Sequence, residues 1–105
     1  MARPTERGEI WWAAMDRLRP VVIASRDDTA GVRSRTTVAS VTTTIRRIRS
    51  EVILDTRDGV ERSSAVNCDE LTTIDKSRLD RRIGRLSPSR VDELDAALRF
   101  ALGLR

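Results

Sequence analysis

The stretch RPVVIAS, residues 19–25, starts with an arginine and a proline and continues as a short apolar run. Such a run is typical of a strand that is covered on both faces. Pro20 has no backbone N–H, so it favours the first position of a strand or a sheet edge. After a polar loop at residues 26–35, the small and β-branched stretch TTVASVT, residues 36–42, predicts a second strand. Together they predict an antiparallel hairpin.

The symmetric register of this hairpin places Arg19 opposite Thr42 and Ser25 opposite Thr36. Cross-strand partners stand about 5 Å apart at their β-carbons, so a guanidinium and a hydroxyl would meet at one end of the sheet. A pair of this kind is suited to binding one phosphate. The alternative is that Arg19 is a surface residue at the start of a strand and Thr42 an ordinary strand former.

Further strands are predicted at residues 8–15, 51–55 and 82–86, and residues 75–79 predict a single helical turn. Residues 64–68 and 71–74 form either one bent strand or two. Ser87 and Pro88 are typical of a helix start, and Gly103 of a helix end. Between them apolar residues recur every three or four positions, at Val91, Leu94, Leu98 and Leu102. The pattern predicts a mainly β (α+β) fold, a small antiparallel barrel with a C-terminal helix packed on it.

The chain length of 105 residues predicts a single domain spanning residues 1–105. The sequence has no histidine and one cysteine, Cys68, which excludes a zinc site of soft ligands and an internal disulfide. A lone cysteine suits the reducing cytoplasm. No signal peptide and no membrane-spanning stretch is predicted, so we expect a soluble cytoplasmic protein.

The net charge of +4 is unevenly distributed: residues 1–50 hold ten arginines against five acidic residues. Lys76 is the only lysine of the chain. The planar fork of arginine suits phosphate, so a basic first half is compatible with nucleic-acid binding. The loop after residue 42 concentrates Arg46, Arg47 and Arg49. The alternative is that these arginines are solvated surface.

Six ordered segments of the chain resemble one family, the MazF/PemK toxins of bacterial toxin–antitoxin systems. They are RGEIW (7–11), RPVVIASRD (19–27), VASVTT (38–43), CDELTTIDK (68–76), LDRRIGRL (79–86) and LDAALRFALGL (94–104). The resemblance implies an SH3-like antiparallel barrel of the CcdB/PemK type with a C-terminal helix. It also implies a homodimer and a cognate MazE-like antitoxin, whose acidic tail lies along the basic cleft of the toxin.

The activity implied by this resemblance is that of a sequence-specific endoribonuclease that cleaves single-stranded mRNA without metal or cofactor. The ribose 2′-hydroxyl attacks the adjacent phosphate and leaves a 2′,3′-cyclic phosphate and a 5′-hydroxyl. The family's functional arginine falls on Arg19 and its functional threonine on Thr42. We expect Arg19 to stabilise charge and assist the leaving group, and Thr42 to position a phosphate oxygen. The candidate RNA-binding residues are Arg17, Thr43, Arg46, Arg47, Arg49 and Glu70.

Two departures from the family pattern bear on specificity. Residues 15–19 form a much shorter connection than the family's glycine-rich loop, and residues 70–74 read ELTTI where the family often has QIRTI. The bases recognised therefore stay open, and the acceptor of the 2′-proton is either Glu70 or water. Two other functions also stay open: a gyrase-poisoning toxin of the same barrel class, and a non-catalytic barrel that binds RNA or peptide.

Overall fold

The computed structural model describes residues 2–105 as six antiparallel strands followed by one helix. The sheet has the strand order β4-β5-β3-β2-β1-β6 and curls into a half-barrel, which confirms the predicted fold class. Two short 3₁₀ turns lie at Thr56–Asp58 and Lys76–Arg78. The strands and the helix are β1 (Glu9–Ala14), β2 (Leu18–Ile23), β3 (Arg35–Thr42), β4 (Glu51–Leu54), β5 (Ser64–Asp75), β6 (Leu79–Arg85) and α1 (Pro88–Leu102).

The hairpin of β2 and β3 has the register that the sequence predicts. Val21 pairs with Ser40 and Ile23 with Val38, and the same register continued toward the start of β2 brings Arg19 level with Thr42. The predicted end of β2 at residue 25 is wrong, since the strand ends at Ile23. Beyond it, the N–H groups of residues 24 and 25 both donate to the carbonyl oxygen of Thr37, at 2.9 and 3.2 Å.

Residues 64–75 form one bent strand rather than two. The pairing of β5 with β3 shifts between Ala39–Leu71 and Ser40–Asn67, so residues 68–70 of β5 have no counterpart on β3. An excess of residues on one strand is a bulge, which bends the strand and redirects its side chains. Glu70 lies in this bulge. The final strand is also longer than predicted, because β6 begins at Leu79.

Helix α1 packs against β4 and β5. Its start follows the prediction: the Ser87 hydroxyl accepts the Arg90 N–H at 3.3 Å and Pro88 stands at the first helical position. Leu94 is fully buried in the core between helix and sheet, whereas Leu102, the last residue of the predicted apolar stripe, is 55% exposed. No helix within residues 2–105 is long and apolar enough to span a membrane.

The only lysine of the chain, Lys76, links its own 3₁₀ turn to the N-terminal segment at Arg3 and to the loop at Asp28. Lys76 is 3% exposed, and its Nζ donates to Asp28 Oδ2 at 2.6 Å and to the carbonyl oxygen of Arg3 at 2.9 Å. The Arg33 and Val32 N–H groups also donate to the Asp28 carboxylate, at 2.9 and 3.0 Å. The bond from Lys76 lowers the pKa of Asp28 to about 2, and these backbone N–H groups contribute to the shift.

This buried pair predicts a specific loss of stability in acid. The pKa of Asp28 is lower in the folded state, so its contribution is fully present above its ordinary pKa of 3.8 and disappears as the pH falls through about 2. Lys76→Met should destabilise the protein at pH 7 and reduce the further loss between pH 4 and pH 2. Urea unfolding over this range measures both effects.

A matched control is the exposed pair of Arg35 and Asp75, whose nitrogen and oxygen lie 3.3 Å apart. Arg35→Met should change stability little, because exposed ion pairs contribute little. An unchanged acid profile in the Lys76 variant would show that Asp28 does not depend on this ammonium group.

Candidate active site

Two clefts meet at the end of the β2–β3 hairpin, and both are lined by Arg19 and Thr42. The larger, which we call the basic cleft, has a volume of about 810 Å³, and the smaller, the mixed cleft, about 640 Å³. Val41 and Thr44 also line both clefts. The two residues singled out in the sequence therefore share one site, at the junction between the clefts.

The basic cleft is strongly cationic. Five arginines line it against one carboxylate, that of Glu61. Trp12 is half-buried in its wall, where β1 pairs Trp12 with Pro20 of β2 and with Arg81 of β6. Thr43 lines the cleft on the β3 side. The five arginines are Arg17, Arg19, Arg62, Arg81 and Arg82.

The mixed cleft is balanced in charge. Asp16 and Glu70 face it together with Arg19 and Arg46. Asn67 of β5 lies in the same wall, and its side-chain oxygen accepts the Asp69 N–H at 3.0 Å, which shapes the bulge. The junction thus has an attractive field for a polyanion on one side and carboxylates on the other.

Arg19 is held by a bidentate ion pair with Asp16. Its Nε donates to Asp16 Oδ1 at 2.7 Å and its Nη2 to Oδ2 at 3.1 Å. The connection between β1 and β2 is only three residues, closed by a 2.9 Å bond from the Met15 N–H to the Arg17 carbonyl oxygen, which keeps Asp16 beside Arg19. The other N–H groups of this guanidinium have no hydrogen-bond acceptor among residues 2–105.

The pair shifts the pKa of both partners. The hydrogen bonds from Arg19 lower the pKa of Asp16 from 3.8 to about 2. The hydrogen bonds and the charge of Asp16 raise the pKa of Arg19, and the charge of Glu70 adds to this effect. Both groups are therefore charged over the whole physiological pH range.

Thr42 is the last residue of β3, and its hydroxyl group accepts one hydrogen bond. Its Oγ1 accepts the Thr44 N–H at 3.1 Å. A hydroxyl that accepts in this way keeps its own proton for donation. Thr42 can therefore donate a hydrogen bond to an anion at the junction.

The arginines of the loop after β3 are divided by their environment. The Glu51 side chain is fully buried; it accepts the backbone N–H groups of Arg46 and Arg47, each at 3.0 Å, and Nε of Arg46 at 3.3 Å. Arg46 lines the mixed cleft. Arg47 and Arg49 line neither cleft. Arg47 has a left-handed backbone conformation, with φ 56°. The guanidinium carbon of Arg49 lies 4.3 Å from the centre of the Phe100 ring.

Several cleft residues are not among those selected from the sequence. Asp16 stands three positions before Arg19, a spacing that permits an ion pair. This spacing alone does not mark Asp16 as a site residue, because it becomes relevant only once Arg19 has a function. Arg81 reaches the basic cleft only through the pairing of β6 with β1. Further aromatic or charged residues of the basic cleft that the sequence analysis did not select are Trp12, Glu61, Arg62 and Arg82.

Within residues 2–105 no group of three or more His, Cys, Asp or Glu side chains is arranged to hold a metal ion.

The Arg19–Asp16 pair predicts a measurable titration. We expect the Asp16 carboxyl to titrate at about 2 in the intact protein and close to its ordinary pKa of 3.8 in Arg19→Ala, because the guanidinium lowers the pKa. Carbon-detected NMR of the side-chain carboxyl group follows this titration. An equal pKa of Asp16 in both proteins would contradict the ion pair.

Comparison with known proteins places the chain in one family. Residues 6–102 match the family described as PemK-like, MazF-like toxin of type II toxin–antitoxin system. Among curated Mycobacterium tuberculosis proteins, the probable endoribonuclease MazF5 is 41% identical over 99 residues, covering 91% of each chain. The endoribonuclease MazF3 is 37% identical over 92 residues, with 88% of this chain and 89% of the relative covered.

The fold has the same relatives. The solved structure of the M. tuberculosis toxin MazF-mt6 superimposes with a TM-score of 0.87 at 36% sequence identity, covering 92% of this chain and 98% of that one. Its identity and coverage agree with the family match. The chain belongs to the PemK-like, MazF-like toxins of type II toxin–antitoxin systems.

Proposed function

We propose that this protein is the toxin of a type II toxin–antitoxin system and acts as a metal-independent endoribonuclease on single-stranded mRNA. The observation that carries the proposal is the position of Arg19 and Thr42 at the junction of two clefts, one of them strongly basic. The family match and the names of the relatives, MazF5 and MazF3, support the activity.

The chemistry needs little beyond these two side chains. The 2′-hydroxyl of the substrate is the nucleophile, so the protein has to orient the sugar for in-line attack and stabilise charge on the phosphate. Arg19 supplies a permanent positive charge with N–H groups that remain free, and Thr42 supplies a hydroxyl group that donates a hydrogen bond. Arg19 stabilises the leaving oxygen by charge, because its raised pKa makes it a poor proton donor. Water supplies the proton that completes the 5′-hydroxyl.

The mixed cleft holds two carboxylates that are candidates to accept the 2′-proton, those of Asp16 and Glu70. Asp16 lines this cleft, but a carboxylate with a pKa of about 2 that is engaged by a guanidinium is a weak base. Glu70 lines the same cleft, and no hydrogen bond engages its carboxylate among residues 2–105. Glu70 and a water molecule are therefore the two candidates.

The RNA runs along the basic cleft on one side of the junction. Arg17, Arg62 and Arg81 bind backbone phosphates, and Trp12 offers an aromatic surface on which a base stacks. Thr43 belongs to this wall, and Arg46 and Glu70 contact the RNA on the mixed-cleft side. Arg47 and Arg49 lie outside both clefts, so the proposed RNA path does not include them.

The same basic cleft is the binding site for the acidic tail of an antitoxin, because a disordered polyanionic peptide needs the same arginines as RNA does. A homodimer is supported by the exposed apolar side chains at the end of α1, those of Phe100, Leu102 and Leu104, with exposures of 47, 55 and 60%. The reducing cytoplasm, where mRNA is found, suits the single unpaired cysteine, Cys68.

The catalytic pair is tested by substitutions that remove the positive charge of Arg19 or the hydroxyl group of Thr42. Arg19→Ala should slow RNA cleavage about 100- to 1,000-fold, the usual cost of removing one charge-stabilising donor. Thr42→Val, which removes only the hydroxyl, should also slow cleavage, whereas Thr42→Ser should retain most of it. The assay is cleavage of a mixed-sequence single-stranded RNA in EDTA, with the product ends tested for 2′,3′-cyclic phosphate and 5′-hydroxyl.

Melting temperatures of the same variants show whether each one is folded. Full cleavage by folded Arg19→Ala would remove this residue from the mechanism. Intact RNA after prolonged incubation with the wild-type protein would contradict the activity. Gyrase inhibition or RNA binding without cleavage would then identify which of the two other functions applies.

The basic cleft is tested by the salt dependence of binding. Each phosphate contact with single-stranded RNA contributes about 0.7 to the slope of log affinity against log salt. Arg81→Ala and Arg62→Ala should each weaken binding and reduce this slope by about that amount. Arg99→Ala, on the exposed face of α1, is the matched control with the same change of charge. Equal slopes in all four proteins would place the RNA elsewhere.

A further inference from the structure

The turn between β1 and β2 places a carboxylate against the arginine of the proposed reaction. We propose that Asp16 is a positioning residue for RNA cleavage: it fixes the orientation of the Arg19 guanidinium at the scissile phosphate and weakens RNA binding in doing so. This inference rests on the proposed function, because it gives Asp16 a task within that reaction.

The geometry of the pair determines which edge of the guanidinium is free. Asp16 occupies Nε and one N–H of Nη2. The edge formed by Nη1 and the second N–H of Nη2 remains, and this fork matches two oxygens of a phosphate. A free arginine side chain populates many rotamers, whereas two parallel hydrogen bonds fix the plane of the group. Asp16 therefore preorganises the edge that contacts the phosphate.

The shortness of the turn makes this constraint local. Only residues 15–17 separate β1 from β2, and the bond between the Met15 N–H and the Arg17 carbonyl oxygen closes them. The partners are both partly exposed, at 40% for Arg19 and 69% for Asp16. Exposed ion pairs contribute little to folding stability, so the effect of Asp16 belongs to the reaction rather than to the fold.

The same carboxylate opposes the binding of RNA. A negative charge bonded to Arg19 offsets part of the positive charge at the point where the phosphate binds, and Glu70 adds to it from the same cleft. Removal of Asp16 should therefore strengthen RNA binding and slow cleavage at the same time. A general loss of structure would weaken both, so the opposite directions distinguish a positioning role from a structural one.

The experiment uses one RNA site in two forms. The main cut site in a mixed-sequence single-stranded RNA is first mapped with the wild-type protein, and a short oligonucleotide containing it is used for single-turnover cleavage. The same oligonucleotide with a 2′-deoxyribose on the 5′ side of the scissile phosphate has no attacking hydroxyl and serves for binding. The proteins are the wild type, Asp16→Ala, Asp16→Asn and the control Asp92→Ala, which removes an exposed carboxylate of α1.

Asp16→Ala should cleave about 10- to 100-fold more slowly, a typical result of misplacing a reacting group. It should bind the deoxy oligonucleotide about two- to fivefold more tightly, as expected for the loss of one nearby charge in water. Asp16→Asn keeps one acceptor oxygen, so its cleavage rate should lie between that of the wild type and that of Asp16→Ala. Asp92→Ala should match the wild type in both measurements.

A second arm asks whether Asp16 acts through Arg19. In the Arg19→Ala background, the further change Asp16→Ala should not slow the residual cleavage. Wild-type or faster cleavage by Asp16→Ala would overturn the inference, as would slower cleavage with equally weakened binding or an undiminished effect in the Arg19→Ala background. Inactivity of the wild-type protein would instead contradict the proposed function itself.

Discussion

The register between β2 and β3 is the constraint on which the site depends. It brings the first residues of one strand level with the last residues of the other, so Arg19 and Thr42 reach the same junction. Side chains alternate between the two faces of a sheet, so a slip of one residue would direct Arg19 to the opposite face. The register is secured by apolar residues on both sides of the sheet, including Val22 and Ala39 in one core and Val21 and Val38 in the other.

The site combines opposite electrostatic demands. In the proposed function a strongly cationic surface binds the RNA. Binding the substrate and the transition state equally well does not accelerate cleavage, however. The arrangement separates the two tasks, with arginines concentrated in the basic cleft and the carboxylates of Asp16 and Glu70 placed beside Arg19. In the proposed reaction, RNA binding and the orientation of the scissile phosphate are thereby assigned to different groups.

What the sequence predicts well is local. The hairpin register, which brings Arg19 level with Thr42, and the helix start at Ser87 each depend on residues within one or two adjacent elements. What it does not predict depends on distant contacts. The Arg49 guanidinium packs over the ring of Phe100, fifty-one positions away. Arg81 lines the basic cleft because the last strand pairs with the first. No periodicity within a short window contains that information, so the loop arginines look equivalent until the chain is folded.

The burial of Lys76 has a practical consequence for chemical handling of the protein. Because this residue is the only lysine, the side-chain cations on the surface are all guanidinium groups. Acetylating enzymes and amine-reactive dyes or crosslinkers find no exposed lysine side chain, so lysine acylation cannot tune the affinity for polyanions. Cys68 is equally inaccessible at 1% exposure, and burial raises the pKa of its thiol to about 11. A cysteine introduced on the surface would therefore be a single-site attachment point for a fluorophore.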